Sequence, residues 1–342
     1  MTELARRAAI AGTVGALCAA GVVVAATRPD GNGADAPAGS ASTGRWRALE
    51  PSPLERTEVA AARIGGHIYV VGGFDSSDGE TTAAGSRYSI RRDRWKRLKP
   101  MPVAVNHPTA TSYRGKLFVH GGFTSAAGLS DPTSALQVYS PKRKRWARLP
   151  DSPTPRAAHA LGEIEGMIYA AAGANDGSAQ LSSLEIYDVA ARRWTAGPDL
   201  NVGRNHVGAT VEGGRLYVLG GRDGSGMDFQ VSERFDPATG AWKTLAPLET
   251  ARSGFAAVTV KAKVVAFGGE ELGPGATTIE QVELYDPAGD TWTALPDMRT
   301  ARHGLGGASK GRRVFALEGG PDPGLAFSRA LEFLDVPRRL AD

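Results

Sequence analysis

Cysteine is almost absent from this chain, and helical periodicity is confined to its N-terminus. The only cysteine among the 342 residues is Cys18, so no internal disulfide can form and stability has to come from packing. Lysine and arginine number 40 against 36 aspartate and glutamate, a net charge of +4. We therefore expect no nucleic-acid partner, which would favour a strongly basic chain. No helix follows the glycine-rich runs, which excludes a helix-capped phosphate loop.

Glycine is abundant, with 44 residues, and so are short segments of strand character. The stretch Arg204–Leu245 has the pattern of four short strands joined by tight turns. A four-stranded unit of this kind has two apolar faces that it cannot bury alone. It therefore requires copies of itself on both sides.

Such copies recur at a period of about 50 residues. The second glycine of each pair, or its equivalent, falls at Gly73, Gly122, Gly173, Gly221, Gly269 and Gly320. All six tryptophans follow the same pattern: Trp46, Trp95, Trp146, Trp194, Trp242 and Trp292. Five of them come seven positions after an aromatic residue: Tyr88, Tyr139, Tyr187, Phe235 and Tyr285. The pattern predicts six equivalent units.

The double glycine, then an aromatic residue and a tryptophan, as in GG…ERFDPATGAW and GG…VELYDPAGDTW, resembles the kelch repeat family. The resemblance covers residues 45–335 and implies an all-β fold, a six-bladed kelch β-propeller of the exported bacterial type. Trp46 has no double glycine before it, and the last glycine pair, with Phe333, has no tryptophan after it. We expect the strand at residues 45–49 to complete the last blade as its outermost strand and close the ring.

Residues 1–26 have the pattern of a targeting segment. Arg6-Arg7 precede the uncharged stretch Ala8–Ala26, whose end resembles a signal-peptidase site. The same stretch could instead stay in place as a signal anchor, at the short end of the lengths that span a bilayer. In both cases the domain at 45–335 is exported, so the protein is expected to be extracytoplasmic, either secreted or tethered to the cell membrane.

Two further segments flank the domain. Residues 27–44, rich in Ala, Gly, Ser and Pro, are predicted to be a disordered linker because this composition cannot build a core. Residues 336–342 are predicted to be a C-terminal tail.

One interval of the repeat varies freely. The distance from the second glycine to the strand-three aromatic ranges from 13 to 17 residues. This interval is the loop between the second and third strands. Fixed spacing reflects packing, whereas variable loops on one face carry binding. The connection into each first strand lies on the same face, which we call the upper face.

Arginine begins the first strand in five of the six units, ten residues after a tryptophan. The first strands of a propeller line its channel, so these side chains are expected at the upper channel mouth. The second unit departs from the pattern and has the longest loop, FTSAAGLSDPTS. The predicted ligand-binding residues are Arg56, Asn106, His107, Arg156, Arg204, Arg252 and Arg302. A guanidinium can bind a carboxylate or phosphate through bidentate hydrogen bonds.

The same arginines could instead be paired inside the ring. Candidate partners lie one or two residues before the strand-three position: Glu185, Glu233, Glu283 and Glu332. In the second unit both the arginine and the glutamate are absent, replaced by Val105 and Gln137, and this joint loss favours pairing. In the first unit Arg56 is present but Ser86 replaces the glutamate, which argues against pairing. The sequence leaves both interpretations open.

The kelch resemblance implies a binding module. Kelch domains that bind peptides hold acidic ligands with arginines at such positions, and TARSG at 250–254 resembles that pattern. We therefore predict an unknown protein, peptide or glycan partner with acidic groups, and neither a cofactor nor a metal. Isolated histidines near the strand starts lack companions at metal-ligand spacing.

An enzyme of the sugar mutarotase or epimerase type is the alternative. Exported bacterial kelch propellers include sugar mutarotases and copper radical oxidases. The oxidase family needs a cysteine–tyrosine crosslink, which the exported domain cannot form. A mutarotase would need a carboxylate and an arginine converging at the upper mouth, such as Glu270 or Glu271 with Arg252 or Arg302.

The lower face, opposite the upper one, carries basic turns between the third and fourth strands. These turns fall on neighbouring units and contain Arg91, Arg92, Arg94, Lys142, Arg143, Lys144, Arg145, Arg192 and Arg193. With Arg338 and Arg339, they would form a crescent. If the N-terminal segment stays as an anchor, the crescent is expected to face an anionic membrane surface. Alternatively, these turns are only solvated.

Overall fold

The computed structural model describes residues 44–175 and 179–341; the predicted targeting segment and nearly all of the linker lie outside them. Within these residues, six four-stranded antiparallel sheets are each ordered from the first strand to the fourth. This is the all-β six-bladed propeller predicted from the repeat. In the described part of the chain, the single helix, Arg338–Ala341, spans four residues, and no helix is long and apolar enough to cross a membrane.

The blades are numbered by the order of their innermost strands. Blade one comprises Ala60–Ile64, His67–Val71, Gly85–Ser89 and Arg94–Arg97. Blade two comprises Thr109–Tyr113, Lys116–His120, Leu136–Ser140 and Arg145–Leu149. Blade three comprises Ala160–Ile164, Met167–Ala171, Leu184–Asp188 and Arg193–Ala196. Blade four comprises Gly208–Glu212, Arg215–Leu219, Ser232–Asp236 and Ala241–Thr244.

The last two blades complete the ring. Blade five comprises Ala256–Val260, Lys263–Phe267, Val282–Asp286 and Thr291–Leu295. Blade six comprises Gly306–Lys310, Arg313–Leu317, Leu331–Asp335 and, from the other end of the chain, Arg47–Ala48. Two-residue strands in the upper loops form three small ladders: Arg56–Thr57 with Phe74–Asp75, Ala174–Asn175 with Ala179–Gln180, and Glu270–Glu271 with Thr277–Thr278.

Blade six joins the two ends of the described chain. Arg47 lies opposite Phe333 in the ladder between Arg47–Ala48 and Leu331–Asp335. Trp46 is 3% exposed, and its indole N–H donates to the carbonyl of Pro296 at 2.9 Å. The N-terminal strand thus occupies the outermost position of the last blade.

The register in blade six differs by one residue from the expected alignment. Val314 pairs with Leu334, as Val264 pairs with Tyr285 in blade five, so Leu334 and not Phe333 fills the aromatic position. Likewise, the amide of Gly319 donates to the carbonyl of Arg56, as the amide of Gly269 donates to that of Arg302. Gly319 is therefore the second glycine of blade six, a position assigned to Gly320 from the sequence. Glu318 replaces the first.

The fixed aromatic–tryptophan spacing has a physical cause. The two residues are cross-strand partners on the third and fourth strands, as for Tyr285 and Trp292. Their ring centroids are 5.0 Å apart, a distance at which tilted aromatic rings attract each other. Each indole N–H also donates to a backbone carbonyl of the preceding blade, for example from Trp292 to Ala246 at 2.9 Å. The motif therefore links neighbouring blades.

The double glycine is required by close backbone approach. Gly268 and Gly269 have φ angles of 69° and 110°, a region that other residues rarely adopt. A Cβ atom on Gly268 would lie 2.6 Å from the carbonyl oxygen of Arg302 in the next blade. The repeat therefore fixes how tightly successive blades approach at the upper face.

Apolar side chains between adjacent blades form the core. The cluster between blades five and six includes Phe267, Val314 and Trp46. Val336 and Ala341 belong to the same cluster and are almost fully buried. The residues predicted as a tail thus pack onto the ring up to residue 341.

Small residues line the central channel. Its lower part is a cavity of about 310 Å³ bordered by residues such as Ala61, Ala110, Gly162 and Gly307. The innermost strands carry these residues because six strands converge on the axis and leave little room for side chains. Two larger charged residues, Arg63 and Glu163, also border this cavity, and a separate group of polar side chains lies at the upper mouth.

Candidate functional site

The five predicted arginines are not exposed at the channel mouth. Arg56, Arg156, Arg204, Arg252 and Arg302 are each 0% exposed. Each lies within salt-bridge distance of a buried glutamate, and we call the five pairs the root pairs. The predicted position at the open mouth is therefore corrected, because the guanidinium groups point into the blades. Direct ligand contact by these arginines stays an untested prediction, and internal pairing accounts for their geometry.

The root pairs also satisfy backbone groups. The Nη1 atom of Arg252 donates to the carbonyl oxygens of Gly268 and Gln281 at 3.0 and 2.8 Å. Its Nη2 atom donates to Glu283. A buried carbonyl without a partner is costly, so the arginine stabilises the points where the second strand ends and the third begins.

Blades one and two show why the sequence left the pairing open. Arg56 is paired with Glu318 of blade six, at 2.9 Å between Nε and Oε2, and needs no glutamate in its own blade. Gln137, in the equivalent glutamate position of blade two, instead accepts from the amide of Val103 at 2.9 Å. The partner of Arg56 was missed because Glu318 stands where other blades have glycine or alanine.

A ring of left-handed residues encircles the upper mouth. Two residues after each of the five arginines, and two after Val105 in blade two, the chain has a positive φ of 50–61°: Glu58, His107, Ala158, His206, Gly254 and Gly304. Except at Glu58, the amide of each donates to the carbonyl of the equivalent residue in the preceding blade, for example His206 to Ala158 at 2.8 Å. The amide of Val59 closes the circle by donating to Gly304 at 3.2 Å. We call these six residues the mouth ring.

Three side chains of the mouth ring are large and polar although their φ angles favour glycine. Glu58, His107 and His206 have φ angles of 55°, 51° and 53°. A non-glycine residue in this region costs of order 1 kcal/mol or more, and such strain clusters at functional sites. The mouth ring therefore holds three polar side chains at backbone positions that favour glycine.

The polar side chains of the mouth form one connected network. The Glu58 carboxylate contacts His107 Nε2 and His303 Nδ1, each at 3.1 Å. The Nη1 atom of Arg222 donates to Glu270 at 2.7 Å, and its Nη2 atom to His206 Nε2 at 2.9 Å. His303 Nδ1 lies 3.5 Å from Glu270, which joins the two halves. We call these side chains the mouth network.

The contacts in the mouth network set its protonation. Burial opposes ionisation of Glu58, but His107 and His303 outweigh it and lower the pKa of this carboxyl to about 2. Burial lowers the pKa of His303 as well, yet its hydrogen bond to Glu58 and the nearby Glu270 charge raise it overall. Burial and the Arg222 charge hold the pKa of His206 well below its usual value. Glu58 is thus an anion, and His206 a neutral acceptor.

Two paired asparagines orient the histidines. Asn106 Oδ1 lies 2.7 Å from His107 Nδ1, and Asn205 Oδ1 lies 2.6 Å from His206 Nδ1. Since an amide oxygen only accepts, each histidine carries a proton on Nδ1 and presents Nε2 to the mouth. Asn106 and His107 are the predicted site residues that the structure brings to the mouth.

A cavity of about 240 Å³ lies above the mouth network. Glu58, His107, Arg222, Glu270 and His303 line its floor. Its rim is apolar and comes from the upper loops, with Phe74, Leu129 and Leu325. A charged floor under an apolar rim is typical of small-ligand sites.

The exposed hydrophobic residues concentrate on the same face. Among the residues that the structure describes, the exposed large hydrophobic side chains are Leu129, Met227 and Leu325, at 39%, 58% and 56% exposure. All of them lie in loops between second and third strands. Apolar groups exposed together on one face mark an interaction site more often than scattered ones do.

Some residues of the mouth network could have been found in the sequence from their positions in the repeat. Arg222 and Glu270 directly follow the second glycines of their blades, and Glu58 and His206 hold equivalent positions in the mouth ring. Reading the residues next to the fixed positions would have selected them. The carboxylate–arginine pair expected of a mutarotase forms between Glu270 and Arg222, and not with Arg252 or Arg302.

The comparisons with known proteins concern the whole ring. Among solved structures, one described as the structure of YjhT matches with a TM-score of 0.75 and 15% identity, and covers 85% of this chain and 97% of that chain. This likeness concerns the fold alone. No curated protein matches the sequence.

Family models give a closer placement. The Attractin/LZTR1 beta-propeller model matches residues 42–231, which is more than half of the chain. The Kelch motif model matches residues 251–299. This chain is therefore a kelch-repeat protein that belongs to the Attractin/LZTR1 β-propeller family.

Proposed function

We propose that the protein is a ligand-binding module whose site is the cavity at the upper mouth. The observation that carries this proposal is the charged mouth network under the apolar rim of Leu129 and Leu325. A kelch propeller is a fold consistent with binding another protein. The variable loops supply the rim, while the fixed ring positions supply the floor.

The floor favours a particular ligand chemistry. The Oε2 atom of Glu270 and the Nε2 atom of His303 are buried and make no hydrogen bond among the described residues; Glu270 Oε2 has only the 3.5 Å contact to His303 Nδ1. A hydroxyl or amide group can donate to the first and accept from the second. We therefore propose a ligand that combines such a group with an apolar portion, as in a glycan or an inserted peptide side chain. Acidic ligands were expected from exposed arginines, and those arginines are buried.

A library screen with matched variants tests the proposal. The full chain is screened on a glycan array and a displayed peptide library, and the hits are measured again with Leu129→Asp and Leu325→Asp. Met227→Asp is the control, because it adds the same charge to an upper loop outside the cavity. We expect the rim variants to weaken binding at least tenfold and the control to leave it unchanged. Hits that are indifferent to the rim variants would refute the site.

An enzyme of the mutarotase type is the second candidate, favoured by the convergence of Glu270 and Arg222 at 2.7 Å. His303 and Glu58 beside them could exchange a proton with a sugar hydroxyl. An anomerisation assay on any glycan hit separates the candidates: Glu270→Gln should abolish turnover. Tight binding of a glycan without anomerisation would support the binding module and exclude the mutarotase activity for that glycan.

We also propose that the domain is exported and is secreted or held at the cell membrane. The support is the sequence pattern of Arg6-Arg7 followed by Ala8–Ala26. Fractionation of cells that express the full chain, with N-terminal sequencing of the mature protein, tests this. A cytosolic chain with its N-terminus intact would contradict it.

A further inference from the structure

A cleft on the lower edge of blade two is lined by cations. Its volume is about 350 Å³, and its charged lining residues are Arg114, Lys116, Lys142, Arg143 and Arg145. Val138 and Ala147 supply an apolar base. All five cationic side chains belong to exposed residues. No carboxylate lines this cleft.

In three other blades, the residue equivalent to Lys116 forms a salt bridge. The cation that begins the second strand contacts an aspartate that ends the third strand in blades four, five and six. The pairs are Arg215–Asp236 at 2.7 Å, Lys263–Asp286 at 2.8 Å and Arg313–Asp335 at 2.9 Å. Blade two keeps the cation, Lys116, and has Ser140 in place of the aspartate. Within the described residues, no salt bridge involves any of the five cations.

Local geometry supports the cleft. The guanidinium of Arg114 lies 5.1 Å from the ring centroid of Tyr113, a cation–π contact that positions it. Two turns converge on the cleft, one holding Arg114 and Lys116 and the other holding Lys142 to Arg145. Several converging donors can bind a phosphate group from more than one side.

We propose that this cleft binds the phosphate headgroup of an anionic lipid. The location favours a membrane over a soluble polyanion. The described chain enters the ring at Arg47, which contacts Asp335 at the lower end of blade six, on the face that carries the cleft. A chain tethered by that segment would hold this face near the bilayer, where each lysine or arginine is attracted to anionic lipid. This argument rests on the proposed tether and is independent of the upper-face site.

Restoring the missing aspartate is the sharpest test. Ser140→Asp should pair Lys116 as in blades four to six and add one negative charge to the cleft. Ser89→Asp is the matched control, at the same register position of blade one. Flotation of the full chain is measured with phosphatidylglycerol–phosphatidylcholine vesicles and with phosphatidylcholine vesicles alone. Insertion of the N-terminal segment would contribute to binding in both cases, so the ratio of the two reports the preference for anionic lipid. Thermal melting of each variant shows that the fold is intact.

We expect Ser140→Asp to lower the preference for anionic vesicles about fivefold, the effect of one cation near the surface. Ser89→Asp should change it less than twofold. Glycerol 3-phosphate at constant ionic strength should compete in the wild type and not in Ser140→Asp. Equal losses in the two variants, or no competition, would overturn the cleft in favour of diffuse attraction. Cleft-dependent binding to a sulfated polysaccharide without a vesicle preference would also overturn the lipid assignment.

Discussion

The propeller buries charge in two places that resemble each other in composition and differ in their surroundings. In the root pairs of Arg56, Arg204, Arg252 and Arg302, every guanidinium nitrogen has a hydrogen-bond partner inside the blades. In the mouth network, atoms of Glu270 and His303 have none among the described residues and border a cavity. In the fifth root pair, Arg156 Nε and Glu185 Oε2 also lack a hydrogen-bond partner within the described chain. The other four root pairs use all their guanidinium nitrogens to hold strands together, while the mouth network has unused bonding capacity beside a cavity, which we propose serves a ligand.

Removing the strand that closes the ring should produce the largest effect. A chain that begins at residue 52 loses Trp46, the ladder of Arg47–Ala48 and the hydrogen bond to Pro296. A buried tryptophan alone is worth about 3–5 kcal/mol, and each lost hydrogen bond adds about 1 kcal/mol, so we expect a total loss of about 5 kcal/mol or more. A chain that begins at residue 40 is the control. Equal melting temperatures for the two would contradict a closing role for this strand.

A root pair is the next test. Arg252→Ala leaves Glu283 buried without its cation, and the free energy of unfolding should fall by about 3–5 kcal/mol. The affinity for a cavity ligand should not change while the protein remains folded. If Arg252 bound the ligand directly, the affinity would instead fall by about 1.5–3 kcal/mol with little change in melting. Denaturant unfolding and a titration on the same variant distinguish the two outcomes.

The repeat predicted the ring because its spacing follows directly from packing. Trp292 must lie opposite Tyr285, and Gly269 must approach the backbone of Ser253, so the intervals cannot vary. Partners across blades were not predictable in the same way. Arg56 finds Glu318 because the ring closes, 262 positions away along the chain. The one-residue shift of register in blade six was not predictable either, because Leu334 occupies the position that an aromatic residue marks in the other blades.

The sequence indicated the face on which the mouth network lies, but it did not indicate most of the residues of that network. Asn106 and His107 stood out because they broke the repeat, and they lie at the mouth. The arginines stood out because they kept the repeat, and the structure pairs each of them with a buried glutamate inside the blades. Glu58, Arg222 and Glu270 come from different blades, and only the closed ring brings them together.

Acid should destabilise the packing around two buried histidines of the core, His120 and His159. Burial, with the charge of Arg156, lowers the pKa of His120 to about 3, and burial holds that of His159 well below its usual value. In the unfolded chain both groups protonate near pH 6.5, so the unfolded state gains protons below that pH and the folded state does not. Their contribution is complete above pH 6.5 and is lost as the pH falls, by up to about 1.4 kcal/mol per pH unit for each histidine.

The double variant His120→Leu/His159→Val tests this dependence, because blades four and one have Leu219 and Val59 at these positions. Between pH 7 and 5, it should lose about 2–4 kcal/mol less stability than the wild type. His107 and His206, whose pKa values are lowered, have the same dependence as the two core histidines, and His303, whose pKa is raised, has the opposite one. All three are present in both proteins, so their effects cancel in the comparison. Parallel curves of unfolding free energy against pH would show that the two buried histidines do not titrate as described.

The smallest effect should come from the mouth ring, where Ala158 and Glu58 occupy equivalent backbone positions with different side chains. Ala158 and Glu58 have φ angles of 50° and 55°, and the carbonyl of each accepts a hydrogen bond from the amide of the equivalent residue in the next blade. Ala158→Gly relieves a cost of about 1–2 kcal/mol in the folded backbone and adds about 0.5–1 kcal/mol of unfolded-state entropy, so we expect it to stabilise by about 0.5–1 kcal/mol. Glu58→Gly gains the same and loses the contacts to His107 and His303.

Because His303 can release its proton when Glu58 is removed, the loss of those contacts should be limited. Glu58→Gly should therefore melt within about 1 kcal/mol of the wild type while ligand binding at the upper mouth falls at least tenfold. Subtracting the change in unfolding free energy of Ala158→Gly from that of Glu58→Gly separates the contribution of the Glu58 side chain from that of backbone strain. A difference above about 3 kcal/mol between the two variants, of the size expected when a buried ion pair is broken, would group Glu58 with the root pairs as a part of the scaffold.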